Sequence, residues 1–187
     1  MTTVMASTDA VPELAAALAR RRRLGLDTYD EWWEGVYRVV TGPTPEHGRI
    51  AGRIFAFLDR LAEGPNLHVS APLNVGADKD DARVPDVGVF VAGTPRTSPA
   101  FLSTAALVVE VLSADERPGA QLDFYARWGV DEYLEVDSGV RAVRLLRHTA
   151  DGWQPTAASA VLPFRVADDE LVADAERYRV DWPAAGD

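Results

Sequence analysis

Cysteine is absent from this 187-residue chain. Its absence excludes disulfides, zinc sites built on thiolates and cysteine nucleophiles. Lysine is almost absent as well, because Lys79 is the only lysine among the 19 basic residues and arginine supplies the rest. A site that needs a lysine therefore has one candidate in the whole sequence.

Long hydrophobic runs are also missing, since no stretch approaches the roughly 20 apolar residues of a membrane-spanning helix. The first apolar stretch precedes the basic run Arg20–Arg23, whereas a signal peptide places its basic residues before the apolar segment. We therefore expect a cytoplasmic protein that does not engage a membrane. The sequence contains no G-x-S-x-G elbow, P-loop or H-E-x-x-H motif, so these three enzyme classes are not indicated.

The net charge of −10 counts against tight non-specific binding to nucleic acid, which depends on cationic contacts with phosphates. It is compatible with a local basic face. Apolar residues make up 47% of the chain, which is enough for one domain with a core of its own. We expect an N-terminal tail and helix over 1–23, followed by a single domain over 24–187.

Hydrophobic periodicity predicts helices over 11–23, 45–63, 120–128 and 168–178. Strands are predicted at 36–40, 67–75, 84–91, 105–112, 131–136 and 140–146. The segments 76–83 and 93–104 are predicted to be loops. Thr28 and Glu31 have the spacing of a capping box, which is typical of a helix start. This order of elements predicts an α/β or α+β fold with a central mixed β-sheet flanked by helices.

Two carboxylates stand in unusual places. Glu110 lies in the most apolar predicted strand, where a charge is costly unless it is paired or bound to a metal. Asp86 follows Pro85 at the start of another predicted strand, although Asp is disfavoured in strands. Each alone could be structural, with Asp86 capping a turn and Glu110 pairing with an arginine. If the two converge, they can hold a hard cation such as Mg²⁺.

Five segments, taken in order, resemble the PD-(D/E)XK nuclease superfamily and, within it, a bacterial restriction endonuclease family. They are WEGVYRVV (33–40), PTPEHGRI (43–50), RVPDVGVF (83–90), ALVVEVLSADE (106–116) and FYARWGVDEYLEVD (124–137). The resemblance covers residues 24–147, and the last two segments are the most specific. It implies a restriction-endonuclease-like fold and a Mg²⁺-dependent endonuclease, with Mn²⁺ as a substitute metal. The implied substrate is nucleic acid, with DNA expected, and the implied assembly is a homodimer.

The resemblance also implies roles for individual residues. Asp86 and Glu110 would coordinate the metal, helped by the backbone carbonyl of Val111. An upstream acidic residue matches Glu34 or Glu31, and Glu34 fits the family pattern better because a glycine and a strand follow it. The alternative for Glu31 is a helix-capping carboxylate.

His47 matches a position at which the family often has histidine, where it could meet a phosphate or a carboxylate or simply face solvent. The superfamily has a lysine two residues after the second acidic residue, and that position here is Leu112. In the family that this chain resembles, the lysine lies on the following helix, and its position here is Gln121, four residues before a tyrosine. Three alternatives follow. Gln121 orients the attacking water as a neutral group, Arg117 or Lys79 supplies the positive charge from a loop, or the site cleaves slowly or not at all.

Two hypotheses of other classes therefore stay open beside the endonuclease. One is a non-catalytic protein of nuclease fold that binds nucleic acid or a protein partner, which Gln121 and the acidic net charge favour. The other is a small α/β domain in which Asp86 and Glu110 are structural and no metal binds.

Overall fold

The computed structural model describes residues 4–6, 12–40, 42–64, 66–77, 81–112, 117–173, 176–180 and 182. Lys79, one of the predicted candidates, lies outside these ranges. The helices are α1 (Pro12–Arg23), α2 (Pro45–Leu61) and α3 (Leu122–Arg127). The strands are β1 (Val4–Ala6), β2 (Glu31–Trp33), β3 (Val36–Val39), β4 (Leu67–Ser70), β5 (Val75–Ala77), β6 (Asp81–Arg83), β7 (Val87–Val91), β8 (Arg96–Ser98), β9 (Phe101–Leu102), β10 (Leu107–Leu112), β11 (Glu132–Asp137), β12 (Ala142–Thr149), β13 (Gly152–Pro155), β14 (Arg165–Ala167), β15 (Glu170–Ala173) and β16 (Glu176–Arg179).

The central sheet has the order β13-β12-β11-β10-β7-β4. Its β10 and β11 run parallel, while every other neighbouring pair in the sheet is antiparallel. A parallel pair needs a crossover connection, and α3 lies in the connection between these two strands. The predicted mixed sheet with flanking helices is confirmed.

Helix α2 covers one face of this sheet. Thr44 accepts a hydrogen bond from the backbone N–H of His47 at 3.2 Å, and Pro45 occupies the first turn, two features that favour a helix start. The buried residues of α2 form one face of the helix and pack in a single core cluster with alternate residues of β7 and β10. They are Ile50, Ile54, Phe57 and Leu58.

Strand β10 divides its side chains between two cores. Leu107, Val109 and Val111 belong to the cluster under α2, whereas Val108 belongs to a second cluster with Tyr125 of α3. Side chains alternate along a strand, so Glu110 points to the α3 face. The most apolar strand therefore carries its one charged side chain toward the short helix α3.

The structure also contains a second sheet, with the strand order β1-β3-β2-β6-β5-β9-β8. The capping-box prediction is wrong, because Glu31 begins β2 rather than continuing a helix turn. Strand β2 pairs with β3, and the Trp32 and Tyr37 rings meet edge to face at 4.7 Å between centroids. Cross-strand aromatic packing favours the hairpin over the local helix signal. The predicted loops 76–83 and 93–104 likewise contain short strands of this sheet.

The two-residue turn of the β2–β3 hairpin explains its register. Glu34 and Gly35 have φ of 50° and 79°, the positive values that a type I′ turn requires at both central positions. Trp33 pairs with Val36 across the turn, and Glu31 then pairs with Arg38. A glycine favours this backbone, since glycine adopts positive φ without strain.

The predicted helix over 168–178 is wrong. This region forms a three-stranded antiparallel sheet of order β14-β15-β16. Asp168 and Asp169 have φ of 52° and 57°, again a two-residue hairpin turn with aspartates, which tolerate positive φ better than most residues. Leu171 is buried in the core cluster under α2, so burial of β15 decides the conformation. Across the described ranges, no helix combines the length and apolar character that crossing a membrane requires.

Replacing a buried leucine and an exposed leucine by alanine, one at a time, tests the core under α2. Leu58 is fully buried and Leu24 is 58% exposed. We expect Leu58→Ala to lower the free energy of unfolding by about 2–5 kcal/mol, because it removes buried methyl groups and leaves a cavity. Leu24→Ala should change it by less than about 0.5 kcal/mol. Urea unfolding followed by tryptophan fluorescence measures both, and equal effects would contradict this packing.

Candidate active site

A cavity of about 460 Å³ opens where side chains of the central and second sheets meet. It is the place where most of the predicted site residues come together. Those that line it are Glu31, His47, Asp86, Glu110, Val111, Arg117 and Gln121. The structure thus gathers residues from β2, α2, β10, the position directly before β7 and the segment before α3.

The cavity exists because β7 and β10 part. Their register ends at Val87 opposite Val109. Beyond that point the Val111 N–H donates to Asp86 Oδ2 at 2.8 Å, so a carboxylate replaces the next backbone partner. Backbone carbonyls alternate sides along a strand. Since the Leu112 carbonyl accepts from Ser138 beyond β11, the Val111 carbonyl is directed to the Asp86 side.

His47 holds the other oxygen of Asp86. Its Nε2 lies 2.8 Å from Asp86 Oδ1. The same residue donates its backbone N–H to the Thr44 cap of α2, so the first turn of the helix fixes the ring. Which ring nitrogen carries a proton is set by such contacts. The capping turn of α2 thereby orients the carboxylate on the neighbouring strand.

Glu110 is held from the opposite face. The Tyr125 hydroxyl, buried on α3, donates to Glu110 Oε1 at 2.5 Å. Burial, together with the nearby Glu110 charge, raises the pKa of Tyr125 well above its usual value, so the hydroxyl stays protonated and keeps donating. A tyrosine hydroxyl has a single proton. Gln121 Oε1, 3.2 Å from the same hydroxyl oxygen, is a second and more distant acceptor for that proton.

Glu31 is buried in the wall of the cavity. One of its oxygens accepts from Trp33 Nε1 at 2.6 Å, and the other accepts from the Val84 N–H at 3.0 Å. Burial raises the pKa of Glu31, although these two donors and two nearby arginines oppose the rise. Val84 is two residues before Asp86. Glu31 therefore anchors the segment that carries Asp86.

Glu34 does not reach the cavity. It sits at the tip of the β2–β3 turn with its side chain 77% exposed, 3.7 Å from Arg127 Nη2. Between the two upstream acidic candidates, the structure places Glu31 in the site and Glu34 outside it. The reason is the hairpin itself, since the type I′ turn carries Glu34 to the tip while Glu31 stays within the ladder.

Sequence reasoning missed Arg38. Its side chain lines the cavity from β3, opposite Glu31 in the strand register. Three aromatic residues, Tyr29, Trp33 and Tyr133, line the cavity as well. An arginine in the otherwise apolar-aromatic run of β3 is the signal that was available, but only the hairpin register shows which face it occupies.

The oxygen donors suit magnesium better than a transition metal. Within the described ranges, no group of three or more His, Cys, Asp or Glu side chains could hold a metal ion. Mg²⁺ does not need one, because it keeps several waters and binds through one or two carboxylates plus substrate phosphate. Asp86, Glu110 and the Val111 carbonyl supply hard oxygens at one strand edge and fit that requirement.

Comparison with known proteins matches the chain to a sequence family and to solved structures. The sequence model described as "Uma2: Putative restriction endonuclease" matches residues 26–172, which confirms the resemblance seen in the sequence. The crystal structure of "a putative nuclease belonging to DUF820" from Anabaena variabilis superposes with a TM-score of 0.56 and 18% identity, covering 70% of this chain and 78% of that one. At that identity the likeness concerns the fold. No protein with a curated description matches the chain.

The buried Glu31 predicts a pH dependence of stability. Its folded-state pKa is raised above the ordinary value of 4.5. As pH rises through that value the unfolded chain ionises first, so this group lowers stability increasingly until the folded pKa is passed. We therefore expect the free energy of unfolding of Glu31→Gln, minus that of wild type, to increase as the pH rises above 4.5. Urea unfolding across pH 4.5 to 7.5 measures it.

The exposed Glu34 offers the matched control. Glu34→Gln removes the same single charge from a side chain that is 77% exposed, and it corrects for the change in net charge. The buried position of Glu31 would be contradicted if the difference in free energy of unfolding between Glu31→Gln and wild type stayed constant with pH. It would also be contradicted if wild type gained stability relative to Glu31→Gln as the pH rose.

Proposed function

The chain belongs to the Uma2 restriction endonuclease family, and on that premise we propose that it is a Mg²⁺-dependent endonuclease that hydrolyses phosphodiester bonds in DNA. One observation carries the proposal. Asp86, directly before β7, and Glu110, on β10, face one cavity at the point where those two strands part. Carboxylates converging on an open strand edge are the arrangement that a hard cation and a phosphate can share.

Asp86, Glu110 and the Val111 carbonyl would hold the Mg²⁺, and Mn²⁺ would substitute for it. When bound, the metal supplies a Lewis acid for the scissile phosphate and lowers the pKa of an attacking water. The protein residues prepare this site in advance. His47 fixes Asp86 and Tyr125 fixes Glu110, so neither carboxylate has to reorganise when substrate arrives.

The substrate and assembly form part of the same proposal. The chain carries a net charge of −10, so affinity for DNA would rest on the local cavity rather than on overall attraction. Cutting both strands of a duplex needs two sites, which a homodimer supplies. Light scattering coupled to size-exclusion chromatography, with and without DNA, measures the assembly.

Removing either metal-binding carboxylate tests the proposal. We expect Asp86→Asn and Glu110→Gln to reduce Mn²⁺-dependent nicking of supercoiled plasmid by at least about 10²-fold, the usual cost of losing one preorganised electrostatic contact. Asp59→Asn and Glu63→Gln, at exposed positions in and after α2, are the matched controls and should nick at the wild-type rate. Wild-type nicking by both site variants would refute the proposed site.

Gln121 favours a second candidate, a non-catalytic protein of the same fold that binds nucleic acid. A neutral amide stands in the cavity at the position where the family resemblance implies a lysine. We expect Gln121→Lys to raise the nicking rate, by up to about 10²-fold, because a fixed charge beside the phosphate lowers the barrier. Gln154→Lys, at an exposed position on β13, is the control. If wild type shows no turnover with any metal and Gln121→Lys gains it, the binding protein is the better description.

A further inference from the structure

The cavity has acidic groups for a metal but a neutral residue at the lysine position. A phosphodiester cleaved there still develops negative charge that some cation must meet. We propose that Arg38 supplies this charge by binding the non-bridging oxygens of the scissile phosphate. The proposal rests on the proposed nuclease function and assigns to that site a phosphate-binding residue from the second sheet.

Arg38 lies where it can reach a phosphate in the cavity. It lies on β3 directly opposite Glu31 in the hairpin register, and its side chain lines the same cavity as Asp86 and Glu110. The site is therefore walled by acidic oxygens from the central sheet and by a guanidinium from the hairpin. A phosphate entering between them would meet a metal on one side and an arginine on the other.

The Arg38 guanidinium is held in place by Trp33. Its Cζ lies 3.3 Å from the ring centroid, and the Cζ of Arg83 lies 4.0 Å from the same centroid. Two guanidinium carbons this close to one centroid would overlap on a single face, so they cover opposite faces. Trp33 also donates its Nε1–H to Glu31. The ring that supports Arg38 is thus fixed on both faces and at its edge.

The hydrogen-bonding capacity of Arg38 is not consumed. Its Nε is buried without a hydrogen-bond partner, and the guanidinium makes no hydrogen bond within the described part of the chain. Burial lowers the pKa of Arg38, opposed by the charge of Glu31, yet arginine stays protonated in proteins. A planar, desolvated guanidinium with unused donors is suited to forked hydrogen bonding to phosphate oxygens.

The other cations near the cavity are less suited. Arg83 is buried, and its Nη1 already donates to the carbonyls of Trp32 and Ala82 and to Asp81. Arg117 lines the cavity but is exposed, so its long side chain would lose conformational entropy on binding a phosphate. Arg38 alone among these three is both held and available.

Two variants of Arg38 separate charge from geometry. Arg38→Gln removes the cation, and Arg38→Lys keeps a charge but loses the stacked fork. We expect Arg38→Gln to lower kcat by about 10²-fold or more, with a smaller rise in KM, because the contact strengthens as charge develops. Arg38→Lys should recover only part of kcat. Arg165→Gln, at an exposed position on β14, controls for net charge, and Arg117→Gln tests the rival cation.

A binding measurement makes the result independent of turnover. The probe is a fluorescein-labelled DNA oligonucleotide in Ca²⁺, followed by anisotropy. Arg38→Gln should weaken its binding by about tenfold or more, the cost of a charged hydrogen bond, whereas Arg165→Gln should not. Mn²⁺ titration of each free protein by calorimetry should give wild-type affinity for Arg38→Gln.

The outcomes decide between the two proposals. Loss of oligonucleotide binding in Arg38→Gln, without turnover by the wild type, supports the phosphate contact and refutes the nuclease. Wild-type kcat and binding in Arg38→Gln overturn the role of Arg38, as does a full loss confined to Arg117→Gln. A parallel drop in Mn²⁺ affinity for Arg38→Gln also overturns it, because Arg38 would then support the fold of the site rather than bind phosphate.

Discussion

The hydrogen bond from the Val111 N–H to the Asp86 carboxylate is the contact on which the site depends. It is made where the β7–β10 ladder stops at Val87 opposite Val109. If the ladder continued, backbone groups would satisfy each other and the strand edge would be closed. Because a side-chain carboxylate takes over, the edge opens, and carboxylate and carbonyl oxygens come together where the core of the sheet is otherwise apolar.

Three elements around that opening hold carboxylates that are costly to bury. The first turn of α2 brings His47 to Asp86, α3 brings Tyr125 to Glu110, and β2 brings Glu31 to the backbone of Val84. Buried carboxylates cost stability unless donors surround them. Burial raises the pKa of Glu31 even though its donors oppose the rise, so its charged form is disfavoured in the folded protein.

The second sheet contributes a group that the central sheet lacks. The central sheet supplies oxygens, but Gln121 leaves it without the expected cation. The β2–β3 hairpin places a stacked Trp33 and Arg38 against the same cavity. In the proposed role of Arg38, positive charge for a phosphate would come from a guanidinium held by an aromatic ring rather than from a lysine at position 121, and the phosphate would be bound between two sheets.

Helix α2 and the apolar strand with Glu110 could be predicted from the sequence, because periodicity and misplaced charge are local signals. That Asp86 and Glu110 would lie together is implied only by the family resemblance, and both do line one cavity. The three-stranded sheet over 165–179 could not, since burial of Leu171 overrides the helix pattern. Nor could the choice of Glu31 over Glu34, which a two-residue turn decides, or the role assigned to Arg38, which needs the hairpin register. Residue types and spacing determined which groups could carry chemistry. Only the tertiary structure decided which of them share a cavity, because strand register and contact between sheets join residues that are distant along the chain.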